Sequence, residues 1–302
     1  MTPSEIRALA KEEWLFTFDK AKRSSQYDEN FVTYIESREN AAKQEVIEHL
    51  QPWLHILEDS IQWLANLAGI LNRMNSEKKL DSAQQSIWAL IGASCAHAVA
   101  VRRLVLSGLD TSARAIARVL DEHLCASLVF LHKRELGAQF HQCADDDTAA
   151  QFWYKHLNTR ALKKHLNAIE RSVGLDLGFS QEMRAWRERE IESFSQAIHP
   201  SYLGAAFSTI TMSPSDPDNV GPAFVGMASI NSKRTLNFSC KSIWHFSCFG
   251  FLMLFNEHES HPPVIQLDEE DEMHQMTVVG RRVLQVLNQR YWEYECPKAQ
   301  VT

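Results

Sequence analysis

The chain has 302 residues, 45% hydrophobic and 23% charged, with a formal net charge of −7. That length can bury a substantial core, and the composition excludes a chain disordered throughout. An acidic balance without any basic tract excludes a general electrostatic grip on DNA. It leaves room only for a local basic pocket facing RNA or an anionic small molecule.

The first helix is predicted from Thr2-Pro3-Ser4-Glu5, a capping box with proline at the first helical position, and runs to about Arg23. A second helical region spans about 28–75. Pro52 interrupts it, as a kink or as a break into two helices. Trp53, Ile56, Leu57, Ile61, Leu64, Leu67 and Leu71 recur there at helical spacing. Asp81 or Ser82 caps the next helix, which ends at Ser107-Gly108. Asp110 or Thr111 then opens another, so the two form a tight antiparallel hairpin. Between Ile87 and Val101 the chain is apolar all round and rich in small residues, which predicts neighbours on every side.

The run Asp145-Asp146-Asp147 starts a helix to about Ser172, and Ser180 caps one ending near Ile198. Residues 200–231 break the pattern. "SPSDPDNVGP" is dense in turn formers between two β-branched and aromatic stretches, which predicts a small β-hairpin. An irregular segment of that length inside a helical protein is often functional. Ser232 caps a buried helix to about Asn256, and the acids from Asp268 to Glu272 open the last helix, ending near Tyr294. The fold class expected is all-α: a single domain over 1–302, with a multi-helix bundle around a central buried hairpin. Helices within 3–75 pack on a core formed by about 82–260, and the helix of about 268–294 closes the chain.

Cys95, Cys125, Cys143, Cys240, Cys248 and Cys296 show no CxxC spacing, and several lie in apolar helical runs. They read as reduced residues of a cytoplasmic protein. The stretch "MTPSEIRALAKEEW" lacks the apolar segment of a signal peptide, so none is expected there. The two most apolar runs each contain a histidine and fall short of about 18 uninterrupted apolar residues, so no membrane span is expected.

Function is sought first where charge enters a buried helix. Arg114, Arg118 and Glu122 lie four apart on one face, with Asp110 and Asp121 beside them, while Ile116, Leu120, Leu124, Leu128 and Leu131 hold the other. His123 falls in the apolar stripe. Two readings stand open: an ion-pair ladder on the wet rim of the core, or the wall of an internal pocket. In the pocket, arginine supplies a fixed fork for phosphate or carboxylate and Glu122 orients it.

"FSQAIHPSYLG" adds Ser195, His199 and Tyr202. His199 acts either as a cation at a helix C-terminus or as a side chain turned into a pocket covered by 200–231. His97 reads as a hydrogen-bonded core histidine. "NEHESHPP" brings Glu257, His258, Glu259 and His261 together but lacks the two histidines four apart of HExxH, so no metal is expected. P-loop, GxGxxG, GxSxG and zinc-ribbon patterns are missing from the sequence, and no cofactor is expected.

Two stretches, "AVAVRRLVLSGLDTSARAIARVLDEHLCASLVFL" and "FSQAIHPSYLG", together resemble an uncharacterised bacterial all-helical family, some of whose members are associated with phage defence or mobile elements. The likeness spans about 50–260. It implies functional positions at Arg118, Glu122 and His199. The run from Arg118 to His123 also resembles the motif of the HEPN group of helical ribonucleases, in which an arginine is followed four to six residues later by a histidine. That likeness implies a metal-independent endoribonuclease completed by homodimerisation, with Arg118 on the phosphate and His123 or His199 as acid–base group. Five residues on a straight helix, however, turn about 140°, which aims His123 away from Arg118.

Three functions are therefore expected, in this order. The first is a ligand-binding or regulatory component of a bacterial defence or stress system, built on Arg114, Arg118, Glu122, His199 and Tyr202. The second is the ribonuclease using Arg118, His123 and His199. The third is a structural interaction subunit.

Overall fold

The computed structural model describes residues 30–173, 177–198, 202–255 and 263–295, with single positions among the first twelve. Within these it is an all-α bundle carrying one two-stranded hairpin. At the start of the chain the capping box is in place: Thr2 N donates to Glu5 Oε2 at 2.7 Å, and Glu5 N donates to Thr2 Oγ1 at 3.3 Å.

Helix α1 runs from Asn30 to Ser76 without a break, so Pro52 neither ends it nor divides it. The apolar stripe continues on both sides of the proline. Leu50, Leu54, Leu57, Leu64, Leu67 and Leu71 are all buried, and tertiary packing of that stripe outweighs the one hydrogen bond that proline deletes. Helix α2 (Ser82–Leu106) begins at an Asp81–Gln84 capping box. Its chain reverses at Gly108, whose φ of +73° suits a residue without Cβ. Helix α3 (Asp110–His132) returns antiparallel against α2 and completes the hairpin.

Short α4 (Arg134–His141) follows, a helix the sequence pattern did not mark. Residues 145–173 are two helices rather than one. Asp145 caps α5 (Asp146–Phe152), which widens into a π turn over Trp153–Leu157. Asn158 then leaves the helical region (ψ 160°) and α6 begins (Thr159–Val173). The side chain of Asn158 accepts from the amides of Arg160 and Ala161, so it caps α6 as it breaks the run. Helix α7 (Leu177–Ile198) starts ahead of Ser180.

The 200–231 segment holds a further helix, α8 (Tyr202–Thr209), before the expected hairpin. Strands β1 (Ile210–Met212) and β2 (Val220–Pro222) pair antiparallel, with Ile210 opposite Pro222 and Met212 opposite Val220. Thr211 faces inward and is buried. Glu45 of α1 anchors the hairpin turn by accepting from Ser213 Oγ, from Ser215 N at 3.3 Å and from Ser215 Oγ at 2.7 Å. Helices α9 (Ser232–Phe255) and α10 (Glu272–Glu295) complete the bundle. Trp63 Nε1 donates to Thr277 O at 3.0 Å, fixing α10 along α1.

One apolar cluster connects Ala42 of α1 to Leu284 of α10. Its centre is α3, which packs against α2, α4, α6, α7 and α9. The sequence pattern placed both hairpin helices at the centre, and this needs correction for α2. Both α2 and α9 are long and apolar enough to cross a bilayer, yet they are packed differently. In its most apolar window α9 is 89% buried and α2 only 39%. Ala89, Gly92 and Ala96 lie on an exposed face of α2, and the space beside Gly92 is open. Alanine and glycine read as interior by composition, but they expose too little apolar area to force burial.

Candidate functional site: a charged cleft beside helix α3

The four-residue spacing of Arg114, Arg118 and Glu122 puts them on one face of α3, and that face points at α6, α7 and α9. Arg118 is 5% exposed and Asp121 2%. The stripe is therefore inside the protein: it forms a wall and not a rim. A buried charge without a partner costs several kcal/mol, roughly, so each carboxylate and guanidinium here needs a counterpart.

Asp121 is the hub. Its Oδ2 accepts from Arg187 Nη2 of α7 at 2.9 Å and from Arg118 Nη1 at 3.3 Å, and its Oδ1 accepts from Ser242 Oγ of α9 at 3.0 Å. Arg118 Nη2 also pairs with Glu122 Oε1 at 2.8 Å. Burial pushes the Asp121 carboxyl up, but the two guanidinium charges and the hydrogen bonds from Arg187 and Ser242 outweigh it and hold it below the usual range. Arg187 is displaced the other way: burial opposes its charge, and Asp121 and Cys125 more than compensate, raising it. Arg187 Nη2 also contacts the Cys125 thiol, which burial pushes up to about 12. A thiol so placed stays protonated and is no nucleophile.

A second polar group closes the site from α6. Glu170, buried, pairs with Arg184 of α7, and its Oε1 lies 3.7 Å from His245 Nε2 of α9. That separation is too long for a hydrogen bond. Burial pushes the imidazole down and Arg187 adds to this, against the pull of Glu170, so His245 is neutral at neutral pH. For Glu170, burial raises the carboxyl while His245 and Arg184 lower it further, and the carboxylate is ionised.

Between these two groups lies a cleft of about 220 Å3. Its polar lining comprises Arg118, Arg184, Arg187 and Lys163, the carboxylates Glu170 and Glu188 (the latter paired with Lys163 at 2.6 Å), and Thr159, Asn167 and His245, while Leu162, Leu166, Met183 and Ile191 form its apolar walls. The buried Nε of Arg184 and that of Arg187 have no hydrogen-bond partner in the protein. Buried donors are nearly always satisfied, and these two are exceptions, enclosed by the side chains around them. The arrangement can hold an anionic head against fixed guanidinium forks and an aliphatic or aromatic body against the apolar wall.

The remaining expected residues divide. Arg114 does not open on this cleft. It lies one turn towards the N-terminus of α3 and lines a separate cavity beneath the 202–231 segment. Glu122 serves Arg118 as expected, at the edge of the network. His123 is turned to α2, where its ring packs on His97 with centroids 5.1 Å apart. Its Nδ1 is buried without a partner, and burial, helped by His97, pushes it down to about 4. Arg118 and His123 thus do not meet, as the 140° turn requires. His97 is likewise lowered by burial. Tyr202 is 86% exposed, on the surface and outside the cleft. His199, Cys296 and the Glu257–His261 group lie outside the described residues, and among the described residues no three His, Cys, Asp or Glu side chains gather as metal ligands. Ser195 Oγ donates to the carbonyl of Ile191 in its own helix.

Sequence reasoning missed Arg184, Arg187, Glu170 and His245. The signal was there in part, since "MRAWRERE" spaces Arg184 and Arg187 three apart on a helix face that also carries Met183 and Ile191. The comparisons are silent: no family model, no curated protein and no solved structure matches this chain.

Proposed function

We propose that this protein is a ligand-binding or regulatory protein whose cleft between α3, α6, α7 and α9 takes a small amphipathic anion. The observation that carries the reading is the set of three arginines, Arg118, Arg184 and Arg187, that line one apolar-walled cavity. Asp121 and Glu170 hold the guanidinium groups of Arg187 and Arg184 in place before any ligand arrives, which removes the ordering cost of binding. Anion recognition here is by charge and fork geometry, and selectivity for the body comes from Leu162, Leu166, Met183 and Ile191. A setting in a bacterial defence or stress system rests on the family resemblance alone.

Of the two acid–base candidates of the ribonuclease reading, His123 faces His97 and is neutral, and His199 lies outside the described residues. Thermal denaturation with octyl phosphate, beside octanol and inorganic phosphate, tests the binding reading. Octyl phosphate should raise the melting temperature more than either half-molecule, and Arg184→Gln should remove most of that rise. Equal shifts from octanol and octyl phosphate would count against an anionic head in the cleft.

A further inference from the structure

Helix α10 presents its apolar side to solvent. The residues it buries against α1 and α9 are His274, Thr277, Leu284 and Asn288, three of them polar. Each polar side chain is satisfied locally. His274 Nδ1 accepts from Asp268 N at 3.0 Å, Thr277 Oγ1 donates to Met273 O at 2.8 Å, and Asn288 Nδ2 donates to Leu284 O at 2.9 Å. Met276, Val279, Val283 and Val286 are exposed instead, Val279 by 61%. A surface helix ordinarily turns such residues to the core.

These four follow one another at intervals of three, four and three residues. At about 100° per residue they form one stripe, on the side of α10 opposite Thr277 and Leu284. That spacing is the seam of a two-stranded helix pair, in which each apolar side chain enters a gap on a facing helix.

The ends and flanks of the seam fit a second copy of α10 running antiparallel. Glu272 continues the stripe at one end and Arg290 at the other, and both are exposed. When Met276 lies opposite Val286 of the partner subunit, and Val279 opposite Val283 of the partner subunit, Glu272 meets the partner's Arg290. Two-fold symmetry makes that ion pair twice. A parallel pair would set carboxylate on carboxylate at one end and guanidinium on guanidinium at the other. The flanks agree. Half-buried Met273, Gly280 and Leu287 run along one side of the seam, and exposed Gln275, Arg282 and Gln289 along the other. An antiparallel pair lays apolar flank on apolar flank and polar on polar, whereas a parallel pair mixes them. Arg282 falls near the two-fold axis but is drawn back from the seam, since its Nη1 donates to Gln285 Oε1 at 3.2 Å.

We infer that this protein forms a two-fold symmetric homodimer through α10, whose seam packs antiparallel on the same seam of a second copy. The stripe from Glu272 to Arg290 is about 27 Å long at the helical rise. Four apolar layers make a small interface, so the dimer forms at micromolar concentration.

Sedimentation velocity on the full chain, from about 1 to 200 µM, reads the association of the parent, of Val279→Glu, of Val283→Lys and of an equimolar mixture of the two variants. Both valines are exposed in the single chain, and glutamate and lysine are at least as good helix formers, so each variant folds. The parent should pass from monomer to dimer across that range. Each variant alone should associate at least about tenfold more weakly, because a charge then faces valine in the seam. The mixture should regain the dimer, since the introduced carboxylate opposes the introduced ammonium only in the antiparallel register. A parent that stays monomeric at the highest concentration overturns the inference. So does a dimer that survives Val279→Glu, or a mixture that stays monomeric. A lowered melting temperature of Val279→Glu at the lowest concentration would mean that the seam is covered by its own chain, and overturns it too.

Discussion

Replacing Asp121 by asparagine removes the one charge that Arg187 and Arg118 share. The side chain is almost the same size, so packing is conserved and electrostatics alone is tested. Arg118 keeps Glu122, 2.8 Å away, but Arg187 is left in the interior with no carboxylate. Loss of one partner from a buried ion pair costs about 3–5 kcal/mol, whereas an exposed pair is worth about 0–1 kcal/mol. With Asp121 and Arg187 both nearly inaccessible, the first range applies. Urea denaturation reads it as a fall in midpoint at unchanged slope. Removing both charges, with Asp121→Leu and Arg187→Met together, should recover at least about 2 kcal/mol relative to the sum of the single losses, because neither charge is then stranded. A loss below about 1 kcal/mol for Asp121→Asn, or strict additivity in the double variant, would refute the wall reading of the stripe.

Other consequences follow from the same geometry. His123 titrates at about 4 in the folded protein against 6.5 unperturbed, so the unfolded chain binds the extra proton between those values. Stability should therefore fall as pH drops from 6.5 to 4, and His123→Gln should flatten that slope. A histidine resonance shift for His123 centred near pH 6.5 would contradict this. Gly108→Ala combines a left-handed backbone with a Cβ inside van der Waals range of Met227; it should cost about 2–5 kcal/mol, and a neutral substitution would mean the 202–231 segment does not press on the α2–α3 turn. Cys125, buried and pushed up to about 12, should resist alkylation at pH 7 until the protein unfolds, while partly exposed Cys143 reacts in the native state. Mass spectrometry after timed labelling distinguishes them, and early modification of Cys125 would show that α3 opens readily.

How much of this was written in the chain depends on the range of the interaction. Local chemistry was legible in part: the Asp81 cap and the Gly108 reversal sit where short-range signals put them, and a hairpin does form around the turn-rich run, but its second strand is Val220–Pro222, inside "SPSDPDNVGP", and not the "AFVGMASI" stretch that follows it. Long-range competition was not. Pro52 stays inside a continuous helix because its stripe is buried on both sides, and Asn158 divides 145–173 with a cap that the charge pattern alone does not reveal. For the site, the arginine spacing on α3 marked the right face. Its depth could not be read, since burial of Arg118 is decided by α7 and α9 folding across it. The same limit applies to Arg114 and Arg118: equal in sequence terms, they open on different cavities because the 202–231 segment covers only the first turn of α3.

The most direct test of the cleft is to locate the ligand. An alkyl phosphate carrying a photoreactive diazirine in its chain, irradiated with the intact protein and mapped by peptide mass spectrometry, reports which side chains surround the bound body. The account predicts label on α6 at Leu162 and Leu166 and on α7 at Met183 and Ile191, suppressed by excess octyl phosphate and by Arg184→Gln. Label confined to exposed apolar surface, such as the outer face of α2 or the β-hairpin, and insensitive to Arg184→Gln, would contradict a binding role for the cleft.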